Sequence, residues 1–202
     1  MTILLFTTND HKRKEFETLL QQYEPTLTII TPATLGLPLP HVEETGSTFA
    51  ENAYIKALAM AYSTPYPILA DDSGLSVKIL DGHPGVRSAR YAGENAPDSE
   101  NRTLLIDNLK KLNVEESPAH FTAALAFIDG LRAFIVEAEC HGKVIIQEHG
   151  KNGFGYDPLF IPDGYEQTFA DCEPSVKNRV SHRAKALQKL INELKSYEYL
   201  PS

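Results

Sequence analysis

Cysteine is scarce in this 202-residue chain: Cys140 and Cys172 are its only two. They form no C-x-x-C pair and fit no zinc spacing. That excludes a disulfide-stapled scaffold or a zinc module and predicts two reduced thiols. A basic excess is missing as well. Nineteen Lys and Arg stand against 27 Asp and Glu, for a formal net charge of −8 and a pI near 5.4. Binding along a nucleic-acid polymer draws on phosphate neutralisation by Lys and Arg, so no such partner is expected. A small anion is different, because a few cations can converge in one cleft. The N-terminus, MTILLFTTND, has no basic region and only four consecutive apolar residues. It fits neither a signal peptide nor a membrane span, so no membrane partner is expected and the cytoplasm is the default location. The chain has no internal repeat, low-complexity tract or block of like charge.

What is present is the composition of an ordinary globular protein, 42% hydrophobic and 23% charged. The length suits one domain, or two lobes sharing a core. Hydrophobic periodicity predicts strands over residues 2–8 and 27–31. Between them it predicts a helix over 10–22 with Phe16, Leu19 and Leu20 inward. Residues 32–46 read as a loop. Thr48 and Glu51 then make a capping box, with Phe49, Ala53, Ala57 and Met60 as the buried stripe of the following helix. Strands are expected at 68–71 and 75–80, a turn at 82–85, and a helix at 97–112 with Leu104, Leu105, Ile106 and Leu109 inward. A hairpin follows, with strands 119–128 and 131–139 around Asp129-Gly130. His141-Gly142 reads as a turn into a strand at 143–148. Residues 150–158 read as a glycine-rich loop, 159–161 as a short apolar segment and 183–195 as a closing helix. This order predicts an α/β protein with a mixed sheet and no clean domain linker.

Five segments could carry chemistry. In residues 68–91 (ILADDSGLSVKILDGHPGVRSARY) an apolar run ends at Asp71 and Asp72, followed by Ser73 and Gly74. Strand side chains alternate, so the two acids point opposite ways. One can face a cleft while the other secures the turn. A carboxylate there, beside a hydroxyl and a glycine, suits a hard cation such as Mg²⁺, although Asp-Ser-Gly also makes an ordinary turn. In Thr7-Thr8-Asn9-Asp10-His11-Lys12 a strand ends and a helix begins. Its first N–H groups favour an anion and Lys12 adds a charge one turn in, although a plain N-cap has the same appearance. In residues 43–53 (EETGSTFAENA) one acid could join Asp72 on a cation, and Asn52 and Lys56 share a helix face. Helix entry with a solvated lysine is the plain alternative.

Residues 153–158 (GFGYDP) set two aromatic side chains between glycines, suited to a planar base. Asp157 could accept from ring N–H donors, an acid that a buried turn has no evident need for. Residues 177–183 (KNRVSHR) read as the opening of the last helix. Cations are disfavoured there, and a bound anion would offset their repulsion.

Together the segments ADDSGL (70–75), GHPGVRSARYAG (82–93), GFGYDP (153–158) and SHR (181–183) resemble the Ham1/RdgB family, the inosine triphosphate pyrophosphatases. The resemblance runs from residue 7 to about residue 187. It implies an elongated two-lobed α/β fold, with a central mixed β-sheet flanked by helices and an active-site cleft between the lobes. Residues 1–202 would form one domain, in a homodimer. The implied activity is hydrolysis of ITP, dITP or XTP to the monophosphate and pyrophosphate with Mg²⁺, a sanitation of the nucleotide pool. Mn²⁺ could replace Mg²⁺.

Carried over by motif, Thr7, Thr8, Asn9, Asp10, His11 and Lys12 bind the phosphate tail, with Lys56 as a further contact. Glu43 and Asp72 hold the metal, Asp72 accepts the proton of the attacking water, and Ser73 touches substrate. Phe154, Gly155, Tyr156, Asp157, Lys177, His182 and Arg183 line the nucleotide site. Donors from His182 and Arg183 would meet the 6-carbonyl of inosine or xanthine and would lose a partner opposite adenine. Two positions depart from the pattern: Thr-Thr-Asn replaces Thr-Gly-Asn at residues 7–9, and Asp171 stands where Glu is common. The competing expectations are a nucleotide sensor without hydrolysis, a general phosphatase and a Maf-like pyrophosphatase with another base preference.

Overall fold

A computed structural model describes residues 1–130 and 132–201. The elements are β1 (Thr2–Phe6), α1 (Asp10–Tyr23), β2 (Thr28–Ile30), α2 (Phe49–Met60), β3 (Ile68–Val77), α3 (Asp98–Lys111), β4 (Glu116–Asp129), β5 (Arg132–Ile145), β6 (Phe160–Pro162), α4 (Pro174–Val180) and α5 (His182–Ser196). Among the described residues six strands form one sheet in the order β2-β1-β3-β4-β5-β6. β1 runs parallel to β2 and β3, and β5 runs antiparallel to β6, so the sheet is mixed, as the element order implied. The predicted start of the second hairpin strand, Leu131, lies outside the described residues. No helix among the described residues is long and apolar enough to cross a membrane.

The chain divides into two compact units. One comprises Met1–Asp72, Ala123–Ala138 and Arg183–Ser202, the other Ser73–Thr122 and Glu139–His182. In the first unit the sheet is covered on both faces. Ile3, Leu5 and Leu69 pack with Phe16, Leu19 and Leu20 of α1 and with Leu187, Leu190 and Leu194 of α5. Their strand neighbours Leu4, Phe6, Ile68 and Ala70 pack instead with Ala53, Ala57 and Met60 of α2. Strands buried on both faces need continuous apolar runs, which is why Ile3-Leu4-Leu5-Phe6 and Ile68-Leu69-Ala70 read as they do. The core of the second unit gathers Leu75, Val77, Leu105, Leu109, Phe121, Phe160 and Phe169.

Local signals set the helix starts. Asn9 caps α1, accepting the N–H groups of His11 and Lys12 at 2.9 and 3.1 Å. Thr48 and Glu51 form the predicted capping box, and Glu51 also accepts from the Ser47 N–H and hydroxyl. On α3 the inward set differs from the expected one. Leu105 and Leu109 are buried, Leu104 and Ile106 are half-buried, and the third buried position is Asn101. Asn101 takes the Ala92 N–H at 2.8 Å and donates to the Ala89 carbonyl at 3.1 Å, so its polar groups are satisfied inside.

Three further expectations need correction. β3 is one strand through Ser73-Gly74, without the predicted break, because both acids at its centre are buried and each meets a cation. Residues 78–80 form a 3₁₀ turn instead of the end of a strand. His141-Gly142 is not a turn, because β5 continues through it and Gly142 pairs with Pro162 of β6. The glycine serves close approach of two strands: a Cβ at Gly142 would collide with the Ile161 carbonyl oxygen and reach within 2.8 Å of the Phe160 ring. Gly142→Ala is therefore expected to lower stability by about 2 kcal/mol or more, read as a shift in the urea midpoint with an unchanged m-value.

Candidate active site

The period-2 alternation of β3 decides the chemistry of the first unit. Leu69 faces α1 and α5, and so does Asp71; Ala70 faces α2, and so does Asp72. Asp71 meets Lys12 Nζ at 2.9 Å, and Arg183 Nε lies 3.7 Å from the same oxygen. Arg183 in turn donates to Glu15 at 2.6 Å. On the opposite face Lys56 Nζ stands 2.8 Å from Asp72 Oδ1 and 2.9 Å from Glu44, while Asn52 Nδ2 donates to Asp72 Oδ2 at 3.3 Å.

These environments drive the two adjacent acids apart. Burial raises the Asp72 carboxyl above the ordinary aspartate value, and Lys56 and Lys12 only partly oppose it. Burial acts on Asp71 too, but Lys12, Arg183 and Lys56 outweigh it and hold that carboxyl at about 2. Burial pushes the Lys12 ammonium below its ordinary value against the pull of Asp71. Burial also works against the charge of Lys56, yet Asp72, Asp71 and Glu44 carry it above the ordinary value. A fixed anion beside a carboxylate of raised proton affinity is the pattern of divided acid–base roles.

In the second unit Asp157 anchors the glycine-rich turn. It accepts the Phe154 N–H at 2.9 Å and Lys177 Nζ at 2.6 Å, and Lys177 sits 4.7 Å from the centre of the Phe154 ring. The acid thus has a structural use in a buried turn, contrary to the reading of the sequence. Gly155 is held by Asp98 and Arg102 through its N–H and carbonyl.

Tyr156 does not offer the stacking face expected of it. Its ring belongs to the core and its hydroxyl donates to the Ser88 carbonyl at 2.9 Å. His182 is buried, stacked on Phe121 at 4.8 Å. Lys177 also does not open the last helix. It lies in the final turn of the separate helix α4, where a cation suits the dipole, so the repulsion argument fails for it.

Thr7 Oγ1 accepts the Asn9 N–H at 3.2 Å. Thr8, Asp10 and His11 are exposed, and Ser73 is half-buried. Glu43 is exposed, and Glu44 is the acid that shares Lys56 with Asp72. Sequence reasoning passed over Glu44 and Glu15. The available signals were adjacency to Glu43 and the three-residue spacing from Lys12 along α1.

The Ham1 family profile matches residues 3–193. The chain belongs to the Ham1 family. It is 41% identical to the dITP/XTP pyrophosphatase of Sulfurovum sp. (strain NBC37-1), over 98% of this chain and 97% of that protein. Identity to the enzyme of the same name from Geobacillus kaustophilus is 44%, over 93% and 91%. A solved HAM1 protein from Coxiella burnetii superposes with a TM-score of 0.85 at 37% identity, covering 97% of this chain and 99% of its own. The Staphylococcus aureus Ham1 protein gives 0.84 at 33%, covering 98% and 100%.

Carboxylate oxygens of the kind that take a hard cation lie beside Lys56 in this Ham1 chain. Among the described residues no three His, Cys, Asp or Glu side chains form a ready metal cage. Mg²⁺ needs none, since it is held by one or two carboxylates with waters and substrate phosphates. The Lys56 ammonium marks a point where two carboxylates, Glu44 and Asp72, already converge on positive charge. As hard oxygen donors, these two groups match the ligand chemistry of magnesium.

The depressed Asp71 carboxyl yields a pH test. A group whose folded value lies below its ordinary one adds stability above that ordinary value and loses it as pH falls. For Asp71 the window runs from 3.8 down to about 2. Urea titrations of wild type and Asp71→Asn should differ by about 2 kcal/mol more at pH 5 than at pH 2. A gap independent of pH would contradict the ion-pair account.

Proposed function

We propose that this protein hydrolyses the non-standard purine nucleoside triphosphates ITP, dITP and XTP to the monophosphate and pyrophosphate, and so removes them from the nucleotide pool. The observation that carries the reading is the pair of buried acids on β3. Asp71 is fixed as an anion by Lys12, and Asp72 has raised proton affinity beside Lys56 and Glu44. Relatives about as similar as 41% and 44% carry the name dITP/XTP pyrophosphatase.

In this reading Asp72 accepts the proton of a water attacking the α-phosphorus in line, and pyrophosphate leaves. Lys12 and Lys56 set positive charge against the polyphosphate, where negative charge grows as the anhydride breaks. Glu43 and Asp72, with Glu44 adjacent, would hold Mg²⁺, and the ion would supply neutralisation of phosphate charge and acidification of the attacking water. Thr7, Thr8, Asn9, Asp10 and His11 form the phosphate-facing end of α1, and Ser73 contacts substrate. Phe154 gives the purine an aromatic surface. Asp157, Lys177, His182 and Arg183 supply polar groups, with Gly155 and Tyr156 shaping the turn. Ammonium and guanidinium groups only donate, so they favour a 6-carbonyl and lose a bond opposite a 6-amino group. The same reading takes residues 1–202 as one functional domain in a cytoplasmic homodimer.

One assay separates the competing activities: incubation with ITP and Mg²⁺ followed by product identification. IMP with pyrophosphate is expected; orthophosphate would indicate a phosphatase, and no turnover a sensor. Asp72→Asn is expected to lower turnover by more than ~100-fold while nucleotide binding partly survives. Near-normal turnover in that variant would remove Asp72 from its assigned role.

A further inference from the structure

The acidic loop before α2 and the strand β3 are distant in sequence, and one side chain touches both. Asn52, in the first turn of α2, is fully buried at 0% exposure. Its Oδ1 accepts the Gly46 N–H at 2.8 Å, and its Nδ2 donates to Asp72 Oδ2 at 3.3 Å. The Gly46 N–H fixes the orientation of the amide. A backbone donor requires the oxygen, and the NH₂ is then left for the carboxylate. Lys56, one turn further along α2, takes the other Asp72 oxygen and also Glu44. Both oxygens of Asp72 are therefore held from one helix.

The other buried positions of α2 are Ala53, Ala57 and Met60. An amide among them costs stability unless each of its polar groups is paired. The loop is shaped to match: a Cβ on Gly46 would stand 2.7 Å from Asn52 Oδ1 and 2.7 Å from Glu51 Cβ. The amide supplies both groups that this point uses, an acceptor for the Gly46 N–H and a donor for the Asp72 carboxylate.

We propose that Asn52 is a positioning residue that ties the loop bearing Glu43 and Glu44 to Asp72, so that the acidic loop and the proton acceptor keep one register. The proposal rests on the reading of Asp72 as the acceptor in triphosphate hydrolysis. Asn52 itself touches no substrate. It acts by holding Asp72 and the Gly46 backbone at fixed distance, and loss of that register misplaces the base.

The test compares wild type, Asn52→Leu, Gly46→Ala and the double variant. Pyrophosphate release from ITP with Mg²⁺ gives kcat and KM, thermal melting reports folding, and hydrogen exchange is followed at the Gly46 amide. Asn52→Leu should lose roughly 10- to 100-fold in kcat, as misplacement of a catalytic group does, with KM for ITP within about threefold. Its Gly46 amide should exchange at least ~10-fold faster as the bond to Oδ1 is lost. Gly46→Ala keeps the Asn52 amide but displaces the loop, so it should lower kcat as well. The double variant should be no worse than about twofold below the weaker single, because both changes cut one tether. Wild-type kcat in Asn52→Leu, or losses that multiply in the double variant, would overturn the proposal. If Asn52→Leu does not fold, Gly46→Ala decides alone: unchanged kcat with a displaced loop overturns the tether. A wild-type protein that releases no pyrophosphate from ITP, dITP or XTP would defeat the functional reading instead, and Gly46 exchange in Asn52→Leu would still report on the tether.

Discussion

Burying a carboxylate as fully as Asp71 costs several kcal/mol unless a cation follows it inside. Lys12 at 2.9 Å, with Arg183 beyond it, is what makes that burial possible. Much of the first unit answers to this pairing. Lys12 reaches Asp71 only because Asn9 starts α1 where it does, and because Phe16, Leu19 and Leu20 seat the helix on β1 and β3. Arg183 reaches it because Leu187, Leu190 and Leu194 seat α5 on the same face. Glu15 then balances the second cation. A charged cluster at this depth is a matter of geometry before it is a matter of stability, since an apolar replacement would pack as well.

The strand that buries Asp71 necessarily turns Asp72 to the other side. There the neighbours come from one helix and one loop, and they treat the carboxylate differently. Lys56 is shared with Glu44, and Asn52 contributes a neutral donor, so burial prevails and the proton affinity rises. Adjacent residues of one type thus acquire distinct chemistry from a two-residue repeat and from what each helix presents. The capping box at Thr48 and Glu51 fixes where α2 begins, and with it the angular position of Asn52 and Lys56.

In the second unit the corresponding device is the Asp157 carboxylate, which closes the turn at Phe154 and keeps Lys177 over the aromatic ring. A lysine on an aromatic face, desolvated and paired to an acid, is held more firmly than either contact alone would hold it. Gly153 belongs to the same arrangement, because a Cβ there would strike the Asp157 carboxylate. The turn is thus held by contacts that Asp157 makes with its own neighbours and with Lys177.

Much of this was legible in the sequence. Apolar runs, the Asn9 and Thr48 caps, the inward stripe of α1 and the opposite facing of Asp71 and Asp72 all follow from local sterics and from fixed periods of 3.6 and 2, which act over a few residues. Other features were not legible. The chain did not reveal that Glu44 would share Lys56, that Glu15 would hold Arg183, that Tyr156 would sink into a core, or that Gly142 would stand inside a strand. Each of these depends on a partner tens of residues away, and a sequence states a residue's type without stating its neighbours. Local chemistry determined which way each acid would point. Only the packing of α1, α2 and α5 against the sheet decided which cation it would meet there, because desolvation and charge pairing exist only once those surfaces close.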